Sequence, residues 1–301
     1  MPVAAPDRTD RPLTIQQVSA LLAVPVSTLR TWEHRYSVPG VVRTQGGHRR
    51  YPAQVIDELR IIRDEIARGR RAGDAATTAR LLVDSDEPGR DLVDRFLEAA
   101  RAMDQGGVRA CLDEAAGRLG LGATVDLVLV PAMRRIGHWW EIGSCDVGHE
   151  HLATEAARTW LSRIVAFAPE PRPGGCVLLA CGPRDLHSLG LEAFGMLLAS
   201  DGRSCRVLGA RTPVPTLTIA AETLDAAAVV VVSHLAVGRR PAVAALSAMA
   251  AQGRPAFYAG NAFLTRPSRR RVPGRYLGES HREAVHLLEE ALVGPALDEP
   301  G

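Results

Sequence analysis

A chain of 301 residues, 46% hydrophobic and 23% charged, is long enough for two or three domains with buried cores. Its 36 cationic side chains are all arginine, which excludes a P-loop lysine, a kinase lysine and a Schiff base with a carbonyl cofactor. The net charge of +2 is too small for nucleic-acid binding by the whole chain, and no run of about 18 apolar residues predicts a membrane span.

The charge is unevenly spread. Residues 1–80 hold 13 Arg against 8 Asp and Glu, a net of +5, whereas residues 81–301 carry a net of −3. A basic module on a slightly acidic body predicts nucleic acid at the N-terminal end. The opening MPVAAPDRTDRP is polar and unlike a secretory signal. The five cysteines (Cys111, Cys145, Cys176, Cys181, Cys205) are never spaced as CxxC and suit reduced thiols in a cytoplasmic protein. Two linker-like stretches, 72–90 and the three-proline segment 169–175, divide the chain into domains at 13–71, 90–168 and 176–295.

In chain order, Leu13–Leu22 reads as a short amphipathic helix with Ile15, Val18, Leu21 and Leu22 inward, followed by a turn at Ala23-Val24-Pro25. Ser27–Arg35 makes a second helix, completing a helix-turn-helix whose outward side offers Ser27, Thr28, Arg30, Thr31 and Arg35 to phosphates and base edges. Gly46-Gly47 then forms a tight tip, and His48, Arg49, Arg50 and Tyr51 follow where a wing lies against a DNA backbone. Through STLRTWEHRY and GGHRRY, residues 13–69 resemble the MerR family of transcription regulators. The resemblance implies a winged helix-turn-helix that binds palindromic double-stranded operators as a dimer. It makes Arg30 and Arg35 recognition-helix residues, Arg49 and Tyr51 wing residues, and Trp32 a core residue. Pro25 departs from the family's usual capping serine, so the cap is expected from Ser27, with a slightly later helix start.

The middle segment is helical by period: Leu92, Phe96, Leu97 and Ala100 share one face, as do Leu121, Val125, Leu129 and Met133. Breaks at Gly106-Gly107, Gly120 and Gly143 predict a four-helix bundle. The last segment holds apolar runs at 177–180, 206–208, 229–232 and 256–258 with helical stretches between them, which predicts a doubly wound, flavodoxin-like parallel sheet. The whole is a multidomain α and α/β protein.

The first of these strands ends at Cys181-Gly182, and the loop beyond it contains Asp185-x-His187-Ser188-x-Gly190. A carboxylate two residues before an imidazole can hold one ring nitrogen while the other binds a metal, and the glycine lets a large group approach the backbone. This loop resembles the cobalamin-binding domain. That resemblance implies that His187 ligates cobalt from below in a loop with Asp185, Ser188 and Gly190. Ser233 and Leu235 then match the Ser-x-Leu beside the nucleotide tail, and Gly260 the first of a Gly-Gly pair, with Asn261 as a departure that tightens the tail tunnel.

In the bundle, nine residues separate Trp140 from Glu150-His151. Joined to the loop motif, this resembles the cobalamin-binding MerR-type regulators, which include the light-sensing repressors of carotenoid genes. The resemblance implies adenosylcobalamin gripped between bundle and α/β domain, with Trp140 over the adenosyl group and Glu150 and His151 lining its pocket. It also implies a homo-oligomer, dimer or tetramer, which holds operator DNA in the dark and separates in light. Glu141 departs from the light-sensing members, which place a histidine directly after the Trp. A carboxylate is a poorer partner for cobalt than imidazole, and His138 and His149 are the nearby substitutes. The reading is a cytoplasmic, non-enzymatic repressor with no membrane partner, whose signal is light or cobalamin itself. The alternatives are a regulator of this family with a vestigial or different ligand site, and a corrinoid-carrying component of a methyltransferase or mutase. The N-terminal module argues against the second.

Overall fold

The computed structural model describes residues 12–36, 42–43, 49–67, 71–73, 75–76, 79, 89–141 and 146–293. These residues belong to two compact units, one drawn from Met1–Arg90 and Arg134–Asp146, the other from Asp91–Met133 and Val147–Gly301.

In the first unit, α1 (Ile15–Leu22) opens on a capping box. The Gln17 N–H donates to Thr14 Oγ1 at 3.3 Å and the Thr14 N–H to Gln17 Oε1 at 2.8 Å, satisfying two of the donors a helix start leaves unpaired. The helix ends at Ala23, which is left-handed with φ 53°. The second helix, α2 (Val26–Tyr36), begins directly after Pro25, whose carbonyl accepts the Leu29 N–H at 3.1 Å. The later start and the Ser27 cap expected from the sequence are therefore corrected. Proline's fixed φ suits a helix entry and it has no N–H to satisfy there, so Ser27 falls inside the first turn, its carbonyl accepting the Thr31 hydroxyl at 2.9 Å. Ile15, Val18, Leu22, Leu29 and Trp32 pack with Leu59 and Ile62 of α3 (Ala53–Ala67). A two-residue ribbon pairs β1 (Val42–Arg43) antiparallel with β2 (Arg49–Arg50), and Tyr51 bridges back to Leu13.

In the second unit, α4 (Arg90–Arg101) buries Leu92, Phe96, Leu97 and Ala100, the face its period predicts. The break before α5 (Gln105–Leu119) falls at 102–104 rather than at Gly106-Gly107. Asp104 caps this helix by accepting the Gly107 N–H at 2.9 Å, and a Cβ at Gly107 would lie 2.5 Å from Asp104 Oδ2. The glycine thus makes room for the cap instead of ending a helix. Beyond Gly120, helix α6 (121–141) comprises Leu121–Thr124, a π-helical turn over Val125–Leu129 and Val130–Glu141, and the division between the units falls within it. Helix α7 (Val147–Ala166) buries Trp160, whose Nε1 donates to Asp113 Oδ1 at 2.9 Å. The predicted break at Gly143 lies outside the described residues.

The sheet contains β3 (Val177–Cys181), β4 (Cys205–Gly209), β5 (Ala228–Val232), β6 (Ala256–Ala259) and β7 (Arg275–Tyr276) in the order β4-β3-β5-β6-β7, all parallel. Helices α8 (Leu189–Ser200), α9 (Val214–Thr223), α10 (Arg239–Ala251) and α11 (His281–Val293) cover it. Strands β3 and β5 are buried at every residue, as covering on both faces requires. The chain leaves β3 for β4 on one side and then crosses to β5 on the other. The order therefore reverses at β3, and the crevice at the carboxyl ends of β3 and β5 is where such sheets bind ligands.

One carboxylate ties the helical layer to the sheet layer within this unit. Asp126, in the π-turn of α6, accepts the His281 N–H at 2.7 Å, the Arg282 N–H at 3.2 Å, the Ser280 hydroxyl at 2.8 Å and His281 Nδ1 at 3.0 Å. It caps α11 from another layer. Burial works to raise its carboxyl, but these donors and the His281 ring outweigh burial and bring it down to about 2.

Candidate functional site

The loop at the switch point is organised around Asp185, whose side chain is fully buried. Oδ1 accepts the His187 N–H and His187 Nδ1, both at 2.9 Å. Oδ2 accepts the His234 N–H and, at 3.1 Å, His234 Nδ1. Burial alone would raise this carboxyl, yet the bonds from the two histidines hold it well below the usual carboxylate range. An ionised carboxylate has no proton to give, so Nδ1 of each ring carries one. That makes Nδ1 the donor nitrogen of His187 and leaves Nε2 as the ring nitrogen that Asp185 does not engage, on a side chain 57% exposed. Asp185 itself is held in place by its N–H to the Gly182 carbonyl at 2.9 Å and by the Arg211 N–H on its own carbonyl at 2.8 Å.

His234 is the residue that sequence reasoning passed over. It is the middle residue of Ser233-His234-Leu235, and its ring centre stands 5.6 Å from that of His187. Asp185, His187 and His234 form the one group of three metal-ligating side chains among the described residues. The signal available in the sequence was its place at the carboxyl end of the strand adjacent to β3.

The surroundings fit a large corrinoid whose cobalt takes a nitrogen ligand. Ser233 is buried, and its Oγ has no hydrogen-bond partner among the described residues. Gly238 and Gly260 close around Ser233: a Cβ at Gly238 would lie 2.7 Å from Ser233 Oγ, and one at Gly260 2.3 Å from the Ser233 carbonyl oxygen. At Gly190 a Cβ would meet only His281 Nε2, at 3.5 Å, so the protein's own packing does not demand a glycine there. Leu186, Leu235 and Val237 are exposed apolar side chains flanking the two histidines, an arrangement that invites a covering group. Ser188 is already engaged within the protein: its hydroxyl donates to Glu192 Oε1 at 2.7 Å and accepts from Arg158 Nη2 at 3.1 Å. Nearby Cys181 is pushed up to about 12 by burial and by the charge of Asp185, so it stays a thiol.

The helical residues are described within their own units. Trp140, near the end of α6, belongs to the first unit and is half exposed, and His138 two residues before it is buried. Glu150 and His151 lie in the first turns of α7 in the second unit, Glu150 half-buried and His151 exposed.

On the DNA-binding module, Ser27, Arg30, Thr31 and Arg35 are exposed along α2, with Thr28 half-buried. Arg49 ties the ribbon to α2 through an ion pair to Glu33 at 2.7 Å, and Arg50 is half-buried. Tyr51 is corrected. It is 1% exposed, its ring lies in the core, and its hydroxyl has no partner among the described residues, so it does not face a DNA backbone. His48 lies outside the described residues.

Comparison with known proteins matches the N-terminal module and the helical segment that follows it. A family model described as "MerR HTH family regulatory protein" matches residues 13–79, and one described as "B12 binding domain" matches residues 92–164. The chain is 30% identical over 212 residues to the HTH-type transcriptional repressor CarA of Myxococcus xanthus, covering 68% of this chain and 70% of that protein. It is 31% identical over 225 residues to the HTH-type transcriptional repressor CarH of the same organism, covering 69% and 74%. The monomethylamine corrinoid protein of Methanosarcina barkeri shares the fold, with a TM-score of 0.56 at 13% identity over 68% of this chain and 100% of that one. The chain belongs to the MerR-type transcriptional repressors that carry a B12-binding domain, a family of DNA-binding regulators rather than enzymes.

Proposed function

We propose that this chain is a cytoplasmic repressor whose oligomeric state and operator affinity follow bound adenosylcobalamin. The observation that carries the reading is the buried Asp185 holding the exposed His187 by Nδ1 at the switch point. In this reading His187 would hold the cobalt and Asp185 would position it, in a loop with Ser188 and Gly190. Ser233, Leu235 and Gly260 receive the nucleotide tail, and Trp140, Glu150 and His151 cover the adenosyl side. When bound, the cofactor supplies a light-sensitive cobalt–carbon bond. The protein's part is linkage: a ligand that favours one assembly, dimer or tetramer, pairs the heads, and paired heads gain effective concentration on a palindromic duplex. Ser27, Thr28, Arg30, Thr31, Arg35, His48, Arg49 and Arg50 are the DNA side of that reading.

Glu141, standing where the light-sensing members have histidine, favours a second reading of the signal, in which cobalamin supply itself sets the repressor. Both are tested by titrating adenosylcobalamin, in the dark, into the protein and duplexes it selects from a random-sequence pool. Tenfold or greater tightening supports linkage, and illumination of the same sample separates the two signals. Operator affinity indifferent to the cofactor would contradict both.

A further inference from the structure

The net of −3 over residues 81–301 conceals a strong asymmetry within the sensor half. Residues 226–278 contain eight arginines and neither Asp nor Glu, leaving the remainder of that half with 15 arginines against 26 acids. Six of the eight gather in one place: Arg239 and Arg240 open α10, and Arg266, Arg269, Arg270 and Arg271 lie on the connection from β6 to β7. Arg239 joins the two segments, its Nε donating to the Ser268 carbonyl at 2.7 Å and its Nη2 to that of Arg270 at 3.4 Å. Among the described residues none of the six makes an ion pair, whereas the other two, Arg254 and Arg275, meet Asp225 and Glu290.

The connection that carries these charges is built as a fixed surface. The Ser268 N–H and hydroxyl both bond Thr265, at 3.2 and 2.7 Å, and a 3-10 turn spans Pro267–Arg269. The Arg269 guanidinium stacks 4.5 Å above the Tyr276 ring, and Arg271 is held at φ 55°. Arg240, Arg266, Arg270 and Arg271 are left exposed. Like charges brought together repel, and two of them stand at the end of α10 where the helix field is already positive. Arg239 is met by carbonyls and Arg269 by the Tyr276 ring, but among the described residues no carboxylate pairs with any of the six.

We propose that this surface, formed by the start of α10 and the β6–β7 connection, is a second phosphate-binding face that takes the backbone of duplex DNA. Clustered guanidinium groups without acids match a phosphate array and carry no base readout. The inference rests on the reading of the N-terminal module as a DNA binder, since that module brings duplex DNA to the protein. It adds affinity that is independent of sequence and steeply dependent on salt.

The test uses the full chain, a 40-bp mixed-sequence duplex, and fluorescence anisotropy across a series of NaCl concentrations. Replacing Arg266, Arg270 and Arg271 together by Gln should cut the slope of log affinity against log salt by about 2–3, at about 0.9 per phosphate contact, and weaken binding roughly tenfold. Cobalamin uptake by the same variant reports that the domain is folded. An unchanged slope in a variant that takes up cobalamin, with the wild type binding the duplex, overturns the second face and leaves the DNA-binding module intact. A wild type that binds no duplex overturns both. Vesicles of phosphatidylcholine and phosphatidylserine (7:3) form the other arm: if the triple substitution abolishes vesicle binding and leaves the duplex slope alone, the surface serves a membrane and the proposal is wrong.

Discussion

His234 shares the carboxylate of Asp185 with His187: its Nδ1 lies 3.1 Å from Oδ2, while Oδ1 is taken by His187 at 2.9 Å. Each oxygen therefore has a ring donor and a backbone N–H, and the carboxylate can neither rotate nor accept a proton without losing bonds. The orientation of His187 is fixed from a strand to which it is not directly connected.

Replacing His234 by Ala should therefore act through stability and orientation, not by deleting a cobalt ligand. Losing one hydrogen bond to a buried charge predicts a loss of about 1.5–3 kcal/mol in unfolding free energy. Bound cobalamin should keep the absorption spectrum of a histidine-ligated form. If the spectrum becomes the one given by His187→Ala, His234 is itself the ligand and the assignment is wrong.

Asp126 predicts an acid-side dependence of stability. Its carboxyl is depressed to about 2 in the fold against 3.8 ordinarily, so its contribution is present above the ordinary value and is lost as pH falls towards 2. The size is about 2 kcal/mol. Thermal melts between pH 5 and 2 should fall more steeply for the wild type than for Asp126→Asn, with the variant already less stable at pH 6. Parallel curves would show that the cap on α11 carries no such weight.

Gly260 offers a steric test. It sits at φ 99°, and a Cβ there would collide with the Ser233 carbonyl at 2.3 Å, so Gly260→Ala should cost about 3 kcal/mol or more. The denaturation midpoint should drop in the cofactor-free protein as well. A variant as stable as the wild type would mean that the strand ends are free to separate.

On the DNA-binding module the burial of Tyr51 and the exposure of Arg30 make opposite predictions. Tyr51→Phe removes a buried hydroxyl without a partner among the described residues, so stability should hold or rise and operator affinity should stay unchanged. Arg30→Ala should weaken operator binding and lower its salt slope by about 1 if the side chain meets a phosphate. Anisotropy titrations decide both, and a tenfold loss for Tyr51→Phe would restore that residue to the wing.

What was legible in the sequence followed from period and local motif. The inward face of α4, the four longer strands and the Asp-x-His loop repeat at spacings that the backbone imposes, and the structure places them there. What was missed depends on contacts between distant segments. The two-residue β7 has no periodicity to detect, and it exists because β6 offers it a free edge. Tyr51 looked like a surface residue because arginines precede it, but the bridge to Leu13 turns it inward. His234 and the Asp126–His281 pair bring together residues 49 and 155 positions apart, and no local pattern records such distances.

The central claim is that His187, oriented by Asp185, is the nitrogen through which cobalamin is held. The most direct test is size-exclusion chromatography of the wild type and of His187→Ala after incubation with adenosylcobalamin in the dark, with the absorption spectrum recorded across the protein peak. The account predicts a coloured wild-type peak with a base-off spectrum, and for the variant a weakly coloured or colourless peak, or a bound form of altered spectrum. A colourless wild-type peak, or identical colour and spectrum in both proteins, would contradict it.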